Sequence, residues 1–285
     1  MHRDRLVQTR QSGHGRARGI ISNRSSGRRV QARSYEPSPA LSPFVASLWS
    51  GSWDLEGQAP HESRLLSDPC MHLVFEEGDQ SSSRIVGVWT KLWTRTLAGR
   101  GRVRGVKLRP GAGQAFIEAP AHALRNRMVP LQGAMPGARA VAEAVHGADD
   151  AEAFAAIEAW LIGQLRTDDA HDIELAIRAV EHARADACLT RVERLADAMG
   201  LGVRDLQRLF RQHVGATPKW VIRWNRLQEV ALQIERGAGQ TRTLAELAAE
   251  LGYTDQAHLN RDFKSATGQS PSDFRVSADP GASAP

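Results

Sequence analysis

The chain has 285 residues, 41% apolar and 24% charged, with a formal net charge of +5, a length that suits about two domains, each with its own core. No apolar run reaches the roughly 18 residues needed to cross a bilayer and no apolar signal block is seen at the N-terminus, so a cytoplasmic protein is expected rather than a membrane-spanning or secreted one. Its only cysteines, Cys70 and Cys188, are too few for a disulfide framework and lack C-x-x-C spacing, so reduced thiols are expected and no metal or cofactor is implied.

Residues 1–34 carry nine arginines against Asp4 alone, which is +8, so the whole-chain +5 leaves −3 for the rest. Rich in Arg, Ser and Gly with scattered apolar residues, this stretch is expected to be a disordered basic tail. Three readings stay open for it: a solvated extension or over-long start assignment, a phosphate-binding arm, and an Arg-rich transit peptide.

Residues 35–136 read as a β-rich domain. "MHLVFEEGD" alternates Met71, Leu73 and Phe75 on one face with His72, Val74 and Glu76 on the other. "GRVRGVKLRPGAG" sets Val103, Gly105 and Lys107 against Arg104, Val106 and Leu108 before a Pro110-Gly111 turn. Residues 137–170 form a helical linker, with Phe154, Ile157, Trp160, Leu161 and Leu165 at three- and four-residue spacing; it joins two domains or pairs with a second copy of the chain.

Residues 171–278 are helical and contain a repeat near 52 residues, with 279–285 a disordered tail. "LADAMGLGVRDLQRLFRQHVGATP" from Leu195 aligns with "LAAELGYTDQAHLNRDFKSATGQSP" from Leu247, so that Gly200 matches Gly252 and Phe210, Gly215 and Pro218 match Phe263, Gly268 and Pro271. In the second copy Thr243 and Glu246 make a capping box, Leu244, Leu247, Ala248 and Leu251 a buried stripe, and Gly252 the left-handed stop. A new helix then begins at Thr254 or Asp255, with Leu259 and Phe263 inward.

Two short helices around a tight glycine turn form a helix-turn-helix, whose second helix enters the DNA major groove. The expected outward row of the second copy is Gln256, Asn260 and Lys264 with Arg261 beside them, and His258 joins the candidates. In the first copy Leu206 and Phe210 point inward while Arg204, Gln207, Arg208 and Arg211 point out. Gln and Asn suit adenine edges, Arg guanine, and Lys phosphate. "PKWVIRWNRLQEVALQIERG" between the copies forms a helix of about 25 Å, able to hold two readers near one turn of DNA apart, about 34 Å.

On these motifs, residues 171–276 resemble the DNA-binding domain of the AraC/XylS family of bacterial transcription regulators. The sequence departs from the usual pattern at Leu259, Asn260 and Val230. The resemblance implies two helix-turn-helix units, bacterial cytoplasmic location, double-stranded DNA as partner, and RNA polymerase as a second partner if the protein activates. Residues 35–135, with "RLLSDPCMHLVF" and "VKLRPGAGQAF", are similar to an uncharacterised β-rich domain that precedes such domains. In many of these regulators that part is a cupin-like barrel that binds a small-molecule effector and dimerises, which leaves a cupin-like fold, an effector and a homodimer open here. The overall fold class is thus α+β, β-rich first and all-α after.

His61, Glu62, His72 and Glu76 raise a metal reading, but their spacing is not H-x-H, and surface or hydrogen-bonded roles are expected. No G-x-S-x-G, P-loop, G-x-G-x-x-G or H-E-x-x-H occurs, and neither cysteine sits in a nucleophile context, so an enzyme is not expected. The alternative is a small-molecule-binding or enzymatic domain with a DNA-binding appendage.

Overall fold

The computed structural model describes residues 20–21, 30–65, 68–78, 82–166, 168–186, 188–235 and 243–278. A β-rich region comes first and a helical region follows. The strands are β1 (Ile20–Ile21), β2 (Val30–Tyr35), β3 (Val45–Leu55), β4 (His61–Leu65), β5 (His72–Gly78), β6 (Ser82–Val86), β7 (Trp93–Leu97), β8 (Gly99–Leu108) and β9 (Met128–Pro130). They form a six-stranded antiparallel sheet in the order β2-β3-β8-β5-β6-β9 and a three-stranded one in the order β1-β4-β7.

The alternation read in β5 and β8 is the one the sheet uses. Leu48, Leu73, Phe75, Ile85, Val106 and Leu108 face a large apolar core, while Trp53, Val74 and Val103 face a smaller one that includes Leu97 of the second sheet. Period-two patterning survives here because each face of the sheet meets a different layer. On the second face two tryptophans lie across glycines of the neighbouring strand. Trp49 pairs with Gly105 and Trp53 with Gly101, and a Cβ at Gly105 or Gly101 would sit 2.2 Å from the indole opposite. Only glycine permits that approach.

Two expected boundaries move. Val30–Tyr35 is a strand in register with β3, from Val30 opposite Trp53 to Tyr35 opposite Leu48, so the tail expected over 1–34 ends too late; residues 1–19, 22–29 and 279–285 lie outside the described residues. The reason is pairing with a distant strand, which composition does not register. The segment 137–170 is not a linker either. Its helices α1 (Ala138–Val145) and α2 (Asp150–Gly163) place Val141, Val145, Phe154, Ile157 and Leu161 in the same core as the sheet residues. Tyr35 packs on Phe154 with ring centroids 4.9 Å apart.

The α1–α2 corner is held by one buried cation. Arg104 of β8 is 0% exposed. Its Nε donates to Asp150 at 2.9 Å, its Nη1 to Glu77 at 2.6 Å and to the Val145 carbonyl at 3.2 Å, and its Nη2 to the Ala148 carbonyl. Asp150 also accepts from Tyr35 Oη and Ser50 Oγ, each at 2.7 Å. These hydrogen bonds, with burial opposing them, hold the Asp150 carboxyl below its ordinary pKa.

The helical region continues with α3 (Ala170–Ala185), α4 (Val192–Ala198), α5 (Val203–Leu209), a π-helical turn at Phe210–Val214, α6 (Pro218–Glu235), α7 (Leu244–Glu250), α8 (Gln256–Thr267) and α9 (Pro271–Ala278). Ile173, Ala176, Leu195, Leu206, Phe210, Val214 and Val221 belong to the same core as the sheet and α1–α2. A separate core holds Leu227, Val230 and Ile234 of α6 with Leu247, Leu259, Phe263 and Phe274. Burying an arginine is tolerable only while its partners stay in place, and losing one side of such a pair costs about 3–5 kcal/mol. Arg104→Ala should therefore lower unfolding stability by about that amount, read by denaturant titration; a loss below about 1 kcal/mol would mean the corner does not rest on this cation.

Candidate nucleic-acid interface

Both repeats fold into helix-turn-helix units. In the first, α4 ends at Gly200, which takes φ +67°, and α5 starts after Gly202. Leu206, Leu209 and Phe210 are buried, while Arg204, Gln207, Arg208 and Arg211 are all exposed. The exposed row runs from α5 into the following π-helical turn, which carries Arg211. Arg208 pairs with Asp205 at 2.8 Å on the surface, a contact worth a few tenths of a kcal/mol that a stronger partner can replace.

In the second unit the capping box is complete. Thr243 Oγ1 accepts from the Glu246 amide at 3.2 Å, and the Thr243 amide donates to Glu246 Oε2 at 2.7 Å. Gly252 turns at φ +71°. Asp255, not Thr254, is the N-cap of α8, accepting from the His258 amide at 2.6 Å. Leu259 and Phe263 are fully buried, and Gln256, Arg261 and Lys264 are exposed.

Asn260 departs from its expected place. It is half-buried, and its Oδ1 is buried without a donor among the described residues. At 3.6 residues per turn it falls about 60° from the middle of the Leu259–Phe263–Thr267 stripe, whereas Arg261 falls about 160° away. The row of Gln256, Asn260 and Lys264 is therefore broken at its centre. Ala257 and Ser265 are exposed instead, and a search for polar residues alone passes over the first of them.

His258 is also drawn inward. It is half-buried, edge-on to Tyr253 with centroids 5.3 Å apart, and its Nε2 lies 3.9 Å from Asp262 Oδ2. Asp262 accepts from Arg223 Nε of α6 at 3.0 Å. Arg226, also on α6, donates to the Gly252 carbonyl at 3.3 Å and lies 4.2 Å above the Tyr253 ring. The connecting helix thus sets the second reader by its turn and its flank.

One neighbour of the first reader has no local sequence signal. Arg211 Nη2 lies 3.3 Å from His122 Nε2, a residue of the β-rich region 89 positions earlier. Arginine can only donate, so the pair is a hydrogen bond when His122 Nε2 accepts.

The face between the two sheets holds a second set of polar residues. Glu76 accepts from both Arg84 and Arg95, and Arg95 also lies 5.4 Å above the Trp53 ring. A carboxylate so occupied is not a metal ligand. Among the described residues no group of three or more His, Cys, Asp and Glu could hold a metal ion. Cys70 is buried and donates to Asp68 Oδ1 at 3.2 Å, and Asp68 pairs with Lys107. Burial and the nearby carboxylate push the Cys70 thiol well above its ordinary pKa, the reverse of what a nucleophile needs. Burial opposes charge on Asp68 too, but Lys107 overrides it and holds the carboxyl below the usual range.

Comparison with known proteins matches two separate parts of the chain. Residues 195–277 match the family model of a helix-turn-helix domain, and residues 33–130 match that of a domain of unknown function, DUF6597. A XylDLEGF operon transcriptional activator of Pseudomonas putida is 32% identical over 82 residues, 29% of this chain and 26% of the activator. The HTH-type transcriptional activator RhaS of Pectobacterium carotovorum subsp. carotovorum is 31% identical over 84 residues, 30% of this chain and 29% of that protein. The matched segment thus spans little more than a quarter of these relatives. Among solved structures, an AraC-type DNA-binding regulator of Chromobacterium violaceum is similar over 39% of this chain and 99% of its own, with TM-score 0.35 and 20% identity. ToxT of Vibrio cholerae is similar over 89% and 99%, with TM-score 0.38 and 11% identity.

The histidine on the inter-sheet face gives a pH test. Burial, aided by the Lys107 charge, lowers the His72 pKa from 6.5 to about 4. The unfolded chain takes up this proton below pH 6.5 and the folded one only near 4, so stability is present above 6.5 and is lost as pH falls through that window, by at most about 3 kcal/mol. His72→Gln should flatten this part of the stability–pH curve in denaturant titrations between pH 7 and 4. An unchanged slope in the variant would place the acid sensitivity elsewhere.

Proposed function

We propose that this protein is a sequence-specific transcription regulator of the AraC/XylS type that reads two adjacent major grooves with its two units, a reading supported by the match of residues 195–277 to a helix-turn-helix domain and by the similarity to a XylDLEGF operon transcriptional activator. The observation that carries the reading is the repetition of one exposed basic pattern. Arg208 and Arg211 on the first reader have Arg261 and Lys264 at the matching places of the second, all exposed beside a buried Leu–Phe pair, while exposed Gln207 has half-buried Asn260 as its counterpart. Arg204 and Gln256 extend the two faces, and His258 and Asn260 flank the second at half-buried positions where Asp262 and the helix stripe limit their reach. A solvated helix face has no reason to repeat its chemistry at equivalent positions, whereas a pair of readers does.

The arrangement also supports a division of labour. α6 carries both readers, and its 18 residues span about 27 Å, close to the 34 Å between successive major grooves once the readers' own widths are added. The β-rich region then modulates DNA binding. A small-molecule effector bound against the inter-sheet face would suit this role, a reading supported by Trp49 Nε1, which is buried there without an acceptor among the described residues. The similarity to transcriptional activators supports an activator that meets RNA polymerase. No helix among the described residues is long and apolar enough to cross a membrane.

Footprinting of the purified full chain should reveal two protected segments one helical turn apart within about 15 to 20 base pairs. Arg208→Ala and Arg261→Ala should leave thermal unfolding nearly unchanged yet each weaken specific binding by roughly 1–3 kcal/mol. Phe263→Ala should instead destabilise its unit by about 3–5 kcal/mol through lost burial and a cavity, and lose binding as a consequence. If both arginine variants kept full affinity and selectivity at physiological salt, the polar faces would be solvated surface and this reading would fail.

A further inference from the structure

Both helix-turn-helix units are touched by the β-rich region at the same point of the repeat. Gly215 and Gly268 end the two recognition segments in the left-handed conformation, at φ +79° and +78°. A Cβ at Gly215 would lie 2.9 Å from the Ala121 carbonyl oxygen, and one at Gly268 would lie 3.0 Å from Leu92 Cδ2. By contrast, a Cβ at Gly200, which turns the first unit, would meet nothing within 4 Å. His122, next to Ala121, also meets Arg211.

The two loops that make these contacts are tied to one another. Asn126 takes φ +56°, a positive value that no other non-glycine shows among the described residues. Its Oδ1 accepts from the Thr90 amide at 2.7 Å, its Nδ2 donates to Thr90 Oγ1 at 3.0 Å, and its own amide donates to the Val88 carbonyl at 2.9 Å. The Gly87 amide donates to the Arg127 carbonyl at 3.0 Å, and a Cβ at Gly87 would collide with the Leu124 carbonyl at 1.9 Å. A left-handed asparagine held by bonds on three sides marks a conformation its surroundings impose.

We propose that this clasp, centred on Asn126 and closing on Gly215 and Gly268, sets the separation and rotational phase of the two recognition helices. It thereby determines which spacing of the two DNA segments the protein accepts, and it rests on the DNA reading given above. The first unit shares a core with the β-rich region and the second has a core of its own, so the second is the unit that needs placing. α6 fixes one end of that placement through Arg223 and Arg226. The Leu92 contact fixes the other. Spacing is sensitive to such a fixture because each base pair moves the second segment by about 3.4 Å and turns it by about 34°.

The test uses the full chain and the duplex that the wild type selects from a random library, with versions carrying one base pair more or fewer between the two contacted segments. The wild type should favour the selected spacing by roughly tenfold, the loss typical of one wrong contact set. Leu92→Ala and Asn126→Ala should reduce that preference to about twofold while keeping the base preference within each segment. Spin labels at Ala198→Cys and Ala245→Cys in a Cys188→Ser background should give one narrow distance without DNA, and a broad one when Leu92→Ala is added. Leu92 is half-exposed, so its variant carries the test if Asn126→Ala fails to fold. Unchanged spacing preference and an unchanged distance distribution would overturn the clasp. Tighter binding by the variants at the selected spacing would overturn it too, because the contact would then oppose the DNA-bound arrangement. Should the wild type select no sequence at all, the DNA reading fails, and the label distances still decide the clasp.

Discussion

Arg104 is the constraint on which the first half of the molecule rests. A guanidinium with no solvent exposure must have its charge answered within the fold, and here the answer comes from one strand, two helices and the corner between those helices. Glu77 arrives from β5, Asp150 from the start of α2, and two carbonyls from the end of α1 and the corner after it. Cations are favoured at a helix C-terminus, where carbonyls lack intrahelical partners. Asp150 in turn binds Tyr35 of β2 and Ser50 of β3. One side chain thereby fixes the angle at which the α1–α2 pair covers the sheet, and the apolar layer that continues into the first helix-turn-helix unit is built on that cover.

What could be read from the sequence follows from how local the cause is. The Thr243–Glu246 box, the Gly252 turn and the alternation through Met71–Glu76 are set by residues within a few positions of one another, and each appears where it was expected. The repeat adds a second, independent reading of the same unit, which is why the helix-turn-helix form of both copies was legible, with Arg208 and Arg261 on exposed faces. Failures begin where a distant partner decides. Val30–Tyr35 is a strand because β3 is there to pair with it, and α1–α2 belongs to the first core because Arg104 holds it. Asn260 was misplaced for a different reason: polar character was taken for outward direction, although the helix period brings it beside the buried stripe.

The inter-sheet face shows how composition can mislead in the opposite direction. His72 and Glu76 look like metal ligands when counted by type, yet Glu76 is taken up by two arginines and His72 is kept neutral by burial. Glycines there are as informative as the charged residues. Gly101 and Gly105 are empty spaces in the sequence pattern that Trp53 and Trp49 fill from the next strand.

The path of α6 has a consequence for how the protein comes apart. Its first turns contribute Val221 and Ile222 to the core shared with the sheet, and its later turns contribute Leu227, Val230 and Ile234 to the core of the second unit. A single helix is thus a member of two cooperative assemblies of unequal size. The smaller one can open alone, at a free energy below that of global unfolding, while the first half of the helix stays ordered as part of the larger. One helix-turn-helix unit then melts only with the β-rich region, while the other can detach and re-dock in the native state, so that on the proposed reading the two halves of a DNA site are held by parts of different lifetime.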